Sequence, residues 1–167
     1  PYHRAMSIDG SAPDPRATGP LAGLLVADCS TVLAGPYATM LLADLGATVV
    51  KVERPGAGDD TRAWGPPFAD DGQSTYFQSV NRSKLSIALD LADAGDRDLA
   101  SDLAGCADVL VENYKPGGLA KYGLDFASVT ERNPRLVYCS ISGFGSAAGA
   151  ELPGYDLLVQ AMGGLMS

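Results

Sequence analysis

The stretch that decides the fold is residues 24–53, LLVADCSTVLAGPYATMLLADLGATVVKVE. It opens with a short apolar run, residues 24–28, of the kind found in strands that are buried on both faces. Pro36 suits the first position of a helix, and the apolar residues that follow give this helix a buried face until Gly46 ends it. A second strand follows at once over residues 48–53. This strand–helix–strand unit with short connections predicts parallel strands.

The same alternation continues towards the end of the chain. Further strands are predicted at residues 84–89, 109–111 and 136–141, and helices at residues 93–104 (with Leu99 and Leu103 facing the core), 125–133 and from about residue 155 onward. The pattern predicts an α/β fold, a Rossmann-like open and mostly parallel sheet with helices on both faces. Residues 55–75 have no periodic pattern and are predicted to form a long loop.

The domain prediction is a flexible N-terminal lead-in over residues 1–20 and one α/β domain over residues 21–167. The last residues before Ser167 are apolar and would need to be covered by more protein. We therefore expect the chain to be an N-terminal fragment, truncated before the rest of its fold.

Composition excludes several classes of partner. Twelve Lys and Arg against twenty Asp and Glu give a formal net charge of −8, which argues against nucleic acid and anionic membranes as partners. The three cysteines are widely separated, which fits a reducing, cytoplasmic location and offers no closely spaced metal ligands. No apolar run approaches the roughly 18 residues of a transmembrane helix.

The common enzyme motifs are absent. After the first strand, residues 28–35 contain a single glycine where a dinucleotide site would have Gly-x-Gly-x-x-Gly, although Glu53 ends the second strand where a ribose-binding acid would lie. The only histidine, His3, lies in the lead-in, and neither a Gly-x-Ser-x-Gly elbow nor a P-loop occurs. Ligands of open parallel sheets bind beyond the carboxyl ends of the strands, and there Arg54 and Lys115 are cations on an acidic chain, with Lys121 close behind.

Several short segments, in a fixed order over residues 20–167, resemble the family III CoA-transferases, also called the carnitine-dehydratase and bile-acid-inducible-protein family. These segments are residues 33–36 (LAGP), 44–55 (DLGATVVKVERP), 81–84 (NRSK), 89–90 (LD), 107–114 (ADVLVENY), 116–117 (PG), 133–136 (NPRL), 142–145 (SGFG) and 154–156 (GYD). Each segment is weak alone, but their order and spacing make the resemblance specific.

The resemblance implies a coenzyme A site. Arg54 and Lys121 would hold the phosphate-bearing adenosine end, as isolated cations suit phosphates. The family usually has Arg where Lys121 stands, so a bidentate contact is replaced by a point charge. By the same resemblance, Leu33 and Ala34 would lie along the pantetheine, Leu89, Asn113 and Tyr114 would line the nucleotide pocket, and Tyr155 would lie beside the reacting end. From the residues alone, Arg54 can also be a solvated surface charge, Leu89 a core leucine and Asn113 a turn residue.

The resemblance also implies the chemistry. An aspartate carboxylate attacks an acyl-CoA thioester and passes CoA to a carboxylic acid through an aspartyl intermediate. That nucleophile is expected roughly thirty residues beyond Tyr155, and hence after Ser167, so we expect no catalytic residue in this chain and no activity from it alone. CoA would be a substrate, and no cofactor would be permanently bound. The resemblance also implies that the full-length protein is an interlocked homodimer.

Two alternatives remain. A 2-methylacyl-CoA racemase of the same family would need a histidine as a second acid/base where Tyr155 stands. A non-catalytic Rossmann-like nucleotide-binding module would fold stably on its own. Leu33, which stands where formyl-CoA transferases usually carry Gln, also disfavours oxalate and formate as substrates.

Overall fold

The sheet has five parallel strands. The computed structural model describes residues 18–166. The strands are β1 (Leu25–Cys29), β2 (Thr48–Glu53), β3 (Leu85–Ala88), β4 (Val109–Glu112) and β5 (Val137–Ser140), in the spatial order β3-β2-β1-β4-β5. Each neighbouring pair is parallel; Val26, for example, pairs with Val49 on one side and with Val109 on the other. The predicted parallel sheet is confirmed.

Helices cover both faces of the sheet. They are α1 (Ala34–Asp44), α2 (Thr75–Asn81), α3 (Ala94–Cys106), α4 (Phe126–Arg132) and α5 (Asp156–Met162), with short 3₁₀ helices at Asp60–Ala63 and Ala120–Tyr122. Val26 packs with Ala43 of α1, whereas its neighbour Ala27 packs with Ala104 of α3 and Val129 of α4. Because successive strand residues point to opposite faces, these two clusters are separate cores on the two sides of the sheet.

Three local predictions were wrong. Leu99 is 54% exposed, and the face of α3 that meets the core carries Ala100 and Ala104 instead. The same helix was predicted to end at residue 104, but it continues through Gly105 to Cys106. Residues 55–75 were predicted as a loop, but they contain the 3₁₀ helix Asp60–Ala63. At the end of this segment α2 begins, capped by the Ser74 hydroxyl, which accepts a hydrogen bond from the Phe77 N–H.

The strand order determines where loops meet. The chain leaves β1 towards β2 on one side and returns to β4 on the other, so the order reverses between β1 and β4. Beyond the carboxyl ends of the strands at such a switch point, the loops diverge and leave a crevice for ligands. Within residues 18–166, no helix has the length and apolar character needed to cross a membrane. Most of the predicted lead-in lies outside the described residues.

Candidate functional site

A cleft of about 210 Å³ lies at the carboxyl edge of the sheet. Its walls come from the segments that follow β1, β2, β3 and β4, so it lies where the strand order predicts a ligand. Its lining residues are Thr31, Lys51, Val52, Glu53, Arg54, Gly58, Asp59, Leu89, Asp90, Leu91, Tyr114 and Tyr122. Three residues selected from the sequence, Arg54, Leu89 and Tyr114, meet here.

Arg54 lies at the rim, one residue after β2. Its guanidinium forms an ion pair with the Asp60 carboxylate, and the two side chains are 63% and 64% exposed. A second, longer hydrogen bond runs from the same guanidinium to the Gly58 carbonyl at 3.4 Å. Ion pairs this exposed contribute only about 0–1 kcal/mol. An incoming anion could therefore displace Asp60 from Arg54 at little cost.

Another part of the cleft lining is apolar and aromatic. Leu89 is only 4% exposed and belongs to the core beneath α3, so it is a core leucine that also lines the cleft. Tyr114 is half-buried, and its backbone N–H donates to the Glu112 carboxylate at 2.7 Å. Burial raises the pKa of the Tyr114 phenol, which therefore stays neutral. The cleft thus combines a cation at its rim with a wall on which an aromatic ring can stack.

Asn113 joins the two loops on either side of the switch point. Its side-chain oxygen accepts from the Thr31 N–H at 2.9 Å, and its side-chain nitrogen donates to the Thr31 carbonyl at 2.8 Å. The amide is thus engaged by the loop after β1, and Asn113 lies beside the lining residues without being one of them. These hydrogen bonds give Asn113 a structural role: it ties the end of β4 to the loop between β1 and α1.

The other four selected residues lie outside the cleft. Leu33 and Ala34 are exposed at the start of α1, where Leu33 is the N-cap residue and provides no side-chain hydrogen bond. The Lys121 ammonium is 4.7 Å from the ring centroid of Tyr122, which does line the cleft, so this cation is close to the rim. Tyr155 precedes α5 and is 73% exposed.

A buried network of charges lies beneath the cleft. Lys51 of β2 pairs with Asp59 at 2.9 Å, and Lys84 pairs with Asp28 of β1 at 3.0 Å; all four side chains are at most 2% exposed. Asp28 also accepts from the Thr39 hydroxyl at 2.6 Å, which ties β1 to α1. The sequence interpretation did not assign these residues. The sequence feature that could have identified them is a charged residue inside an otherwise apolar strand: Asp28 in the first strand and Lys51 in the second.

Glu53 belongs to the same network rather than to a ribose site. Its two carboxylate oxygens accept from the Arg62 guanidinium at 2.8 and 2.6 Å, and the Ser86 hydroxyl donates at 2.5 Å. Burial acts to raise the pKa of Glu53, but the hydrogen bonds from Arg62, Ser86 and the Asp59 N–H outweigh it and lower the pKa to about 2. A carboxylate held in this way is poorly placed to bind ribose hydroxyls, which further disfavours a dinucleotide site.

The thiol of Cys29 is protonated and unreactive. Cys29 at the end of β1 is buried, and burial, reinforced by the charges of Asp28 and Glu112, raises the pKa of its thiol to about 12. A thiol that stays protonated at neutral pH is inert as a nucleophile. Within residues 18–166, no cluster of three or more His, Cys, Asp or Glu side chains is arranged to hold a metal ion.

The model of CoA-transferase family III matches residues 21–167. The chain belongs to this family. It is 51% identical over 148 residues to a mouse succinyl-CoA:glutarate CoA-transferase, an alignment that covers 88% of the chain and 34% of the mouse protein. It is also 50% identical over 159 residues to the succinate–glutarate CoA-transferase of Agrobacterium fabrum, covering 92% of the chain and 40% of that relative.

Solved structures of family III proteins share the fold. A CAIB/BAIF family protein from Brucella suis is 51% identical and superposes with a TM-score of 0.84 over 89% of the chain and 40% of that protein. A hypothetical protein from Mycobacterium tuberculosis is 38% identical, with a TM-score of 0.81 over 90% of the chain and 42% of its own. The chain spans 34% to 40% of the length of these curated relatives. It corresponds to the N-terminal part of the solved family structures.

Proposed function

We propose that the full-length protein transfers coenzyme A between an acyl-CoA donor and a carboxylic acid acceptor, with dicarboxylic acids as its substrates. The observation that carries this proposal is the 51% identity to a succinyl-CoA:glutarate CoA-transferase across 88% of the chain. Other family relatives at about 50% identity are named for oxalate and mesaconate, which are also dicarboxylates. Such acids share two carboxylates, one to receive CoA and one for recognition.

The geometry of the cleft supports binding of the adenosine end of CoA. The Arg54 guanidinium can form charge-assisted hydrogen bonds with a phosphate once Asp60 is displaced. Leu89 and Tyr114 offer apolar and aromatic surface for the adenine ring. Lys121, close to the same rim, would supply a second positive charge. In this proposal Asn113 supports the nucleotide pocket through its hydrogen bonds to Thr31.

The reacting end of CoA would lie towards α1. In the proposed pose the pantetheine follows Leu33 and Ala34, whose exposed side chains are available for contact, and Tyr155 lies beside the thioester. The nucleophile would be an aspartate beyond Ser167. Its carboxylate attacks the thioester and releases CoA thiolate, leaving a mixed anhydride; the thiolate then attacks the aspartyl carbonyl and expels the first acid. The acceptor carboxylate then attacks the aspartyl-CoA thioester and releases CoA thiolate, and the thiolate attacks the acceptor carbonyl of the new anhydride, which frees the aspartate and gives the product acyl-CoA. In this proposal the protein works as an interlocked homodimer.

The test uses the full-length protein with succinyl-CoA and unlabelled glutarate, oxalate or mesaconate. We expect a new CoA thioester by mass spectrometry with at least one dicarboxylate and none with a monocarboxylate of similar size. In D₂O, deuterium incorporation at the α-carbon of a 2-methylacyl-CoA, without any transfer, would identify a racemase instead. CoA binding with neither reaction would contradict the transferase proposal and favour a non-catalytic nucleotide-binding module.

A further inference from the structure

The loop between β1 and α1 contains a backbone conformation that its sequence disfavours. Val32 has a φ of 67°, in the left-handed region, which is unusual for any residue except glycine and a clear outlier for a β-branched one. It immediately precedes Leu33 and Ala34, the residues proposed to contact the pantetheine. Such conformations persist only where the surrounding structure holds them, and they concentrate at functional sites.

The ion pair between Lys51 and Asp59 holds this loop. The Val32 N–H donates to the Asp59 carboxylate, with a distance of 3.2 Å to Oδ2, and the same oxygen lies 2.9 Å from the Lys51 ammonium. Lys51 also donates to the Ser30 carbonyl at 2.8 Å. The two charged side chains therefore hold both ends of the segment Ser30–Val32, while Asn113 holds its middle residue from the other side.

Fold stability alone does not explain a buried pair at this position. Replacing a buried ion pair with apolar residues of similar size is often neutral or stabilising, because the desolvation of two charges offsets their attraction. Here the pair lies at the floor of the cleft, and its side chains are only 2% and 0% exposed. Burial acts to raise the pKa of Asp59, but hydrogen bonds from Thr61 together with the charge of Lys51 lower the pKa, so Asp59 remains a carboxylate that can accept from Val32.

We propose that Lys51 and Asp59 are positioning residues: they hold Val32 in its left-handed conformation and thereby direct Leu33 and Ala34 towards the pantetheine of a bound CoA. This inference rests on the proposed function. It assigns the pair no contact with the ligand. The pair lies at the floor of the cleft that Arg54 also lines, and it acts on the pantetheine end of the site through the backbone of the loop.

The key variant is Asp59→Asn in the full-length protein. Asp59 Oδ1 accepts from the N–H and the hydroxyl of Thr61, at 3.0 and 2.8 Å, and an asparagine can keep both bonds through its single oxygen. Its NH₂ group would then face the Val32 N–H and the Lys51 ammonium, which are both donors. The 3.2 Å bond from the Val32 N–H and the ion pair with Lys51 are lost, and only the longer contact of the Val32 N–H with Oδ1, at 3.4 Å, remains. The tie to the loop is weakened while the 3₁₀ helix Asp60–Ala63 keeps its cap. If the unpaired ammonium prevents folding, adding Lys51→Met removes it.

Two ligands separate the two ends of the site: CoA, and adenosine 3′,5′-bisphosphate, which lacks the pantetheine. We expect Asp59→Asn to weaken CoA binding about tenfold and bisphosphate binding less than about twofold. The matched control is Asp44→Asn, which breaks an exposed ion pair with Arg82 and should change neither. Equal weakening of both ligands, or no weakening of CoA, would overturn the proposal.

A double-mutant cycle with Val32→Gly tests the role of the strained residue. Glycine adopts a φ of 67° without strain, so the loop then needs the carboxylate less. We expect the loss of CoA affinity caused by Asp59→Asn to fall from about tenfold to below about threefold in the Val32→Gly background. An unchanged loss would contradict the positioning role. If the unmutated protein binds neither ligand, or Arg54→Ala leaves bisphosphate binding unchanged, the proposed CoA site itself fails, which is a different result.

Discussion

The ion pair between Arg54 and Asp60 makes the proposed CoA site testable with two substitutions of opposite sign. Asp60 pairs with the Arg54 guanidinium that a phosphate would need. Arg54→Ala removes the phosphate partner, whereas Asp60→Asn removes its competitor and one nearby negative charge. We therefore expect the first substitution to weaken CoA binding and the second to strengthen it.

The magnitudes follow from the exposure of the pair. A hydrogen bond between charged partners contributes about 1.5–3 kcal/mol, and displacing the exposed Asp60 costs about 0–1 kcal/mol. Arg54→Ala should therefore lose about 0.5–3 kcal/mol, or roughly 2- to 160-fold in Kd. Asp60→Asn should gain up to about 1 kcal/mol, or up to about fivefold.

Isothermal titration calorimetry with CoA on the full-length protein, at low and at high salt, is the appropriate assay. Both effects should shrink at high salt because exposed charges are screened within about 10 Å at 0.1 M. Asp44→Asn, at the exposed pair with Arg82, is the control for loss of a surface carboxylate. Unchanged affinity in Arg54→Ala would refute a phosphate contact, and weaker binding in Asp60→Asn would show that Asp60 orients Arg54 instead of competing for it.

Three further predictions concern stability and are measured by denaturation of the full-length protein. Because the pKa of Glu53 is lowered from 4.5 to about 2, Glu53→Gln should cost about 3 kcal/mol at pH 7, where the stabilisation is complete. The difference should shrink to about 2 kcal/mol at pH 3.5, because the glutamate of the unfolded chain takes up a proton there while Glu53 of the folded protein stays ionised; a pH-independent difference would argue against the Arg62 pairing. Asn113→Ala should cost about 1–3 kcal/mol, because it leaves both backbone groups of Thr31 without their partner, and CoA affinity should fall with it. Leu110→Ala, at a fully buried position of β4, should cost about 2–5 kcal/mol, and a smaller loss would mean that the core refills the cavity.

The architecture was predictable because buried parallel strands leave a clear signal. Residues 48–53 were predicted as a strand and form β2 with those bounds, since four residues of high β propensity, Thr48, Val49, Val50 and Val52, surround a single Lys. A helix was predicted to start at residue 93, and Asp93 does cap α3, because its carboxylate accepts from the Asp96 N–H at 3.1 Å. Both features depend on neighbours along the chain, which a sequence displays directly.

Features that depend on distant partners were not predictable. Asn113 and Thr31 are 82 residues apart, and Lys84 and Asp28 are 56 residues apart, so no local pattern connects them. Leu99 was expected in the core from its spacing, but α3 packs closely through Ala100 and Ala104 and leaves the leucine exposed. Small residues allow a helix to approach the sheet closely, and such an approach follows from packing rather than from hydrophobicity alone.

The most direct test of the central claim is a crystal structure of the full-length protein with CoA bound. We expect a phosphate of CoA within hydrogen-bonding distance of the Arg54 guanidinium, with Asp60 displaced, the adenine against Leu89 and Tyr114, and the pantetheine passing Leu33 and Ala34. CoA bound elsewhere, with the Arg54–Asp60 pair intact and the cleft at the carboxyl edge of the sheet unfilled, would contradict the proposed site.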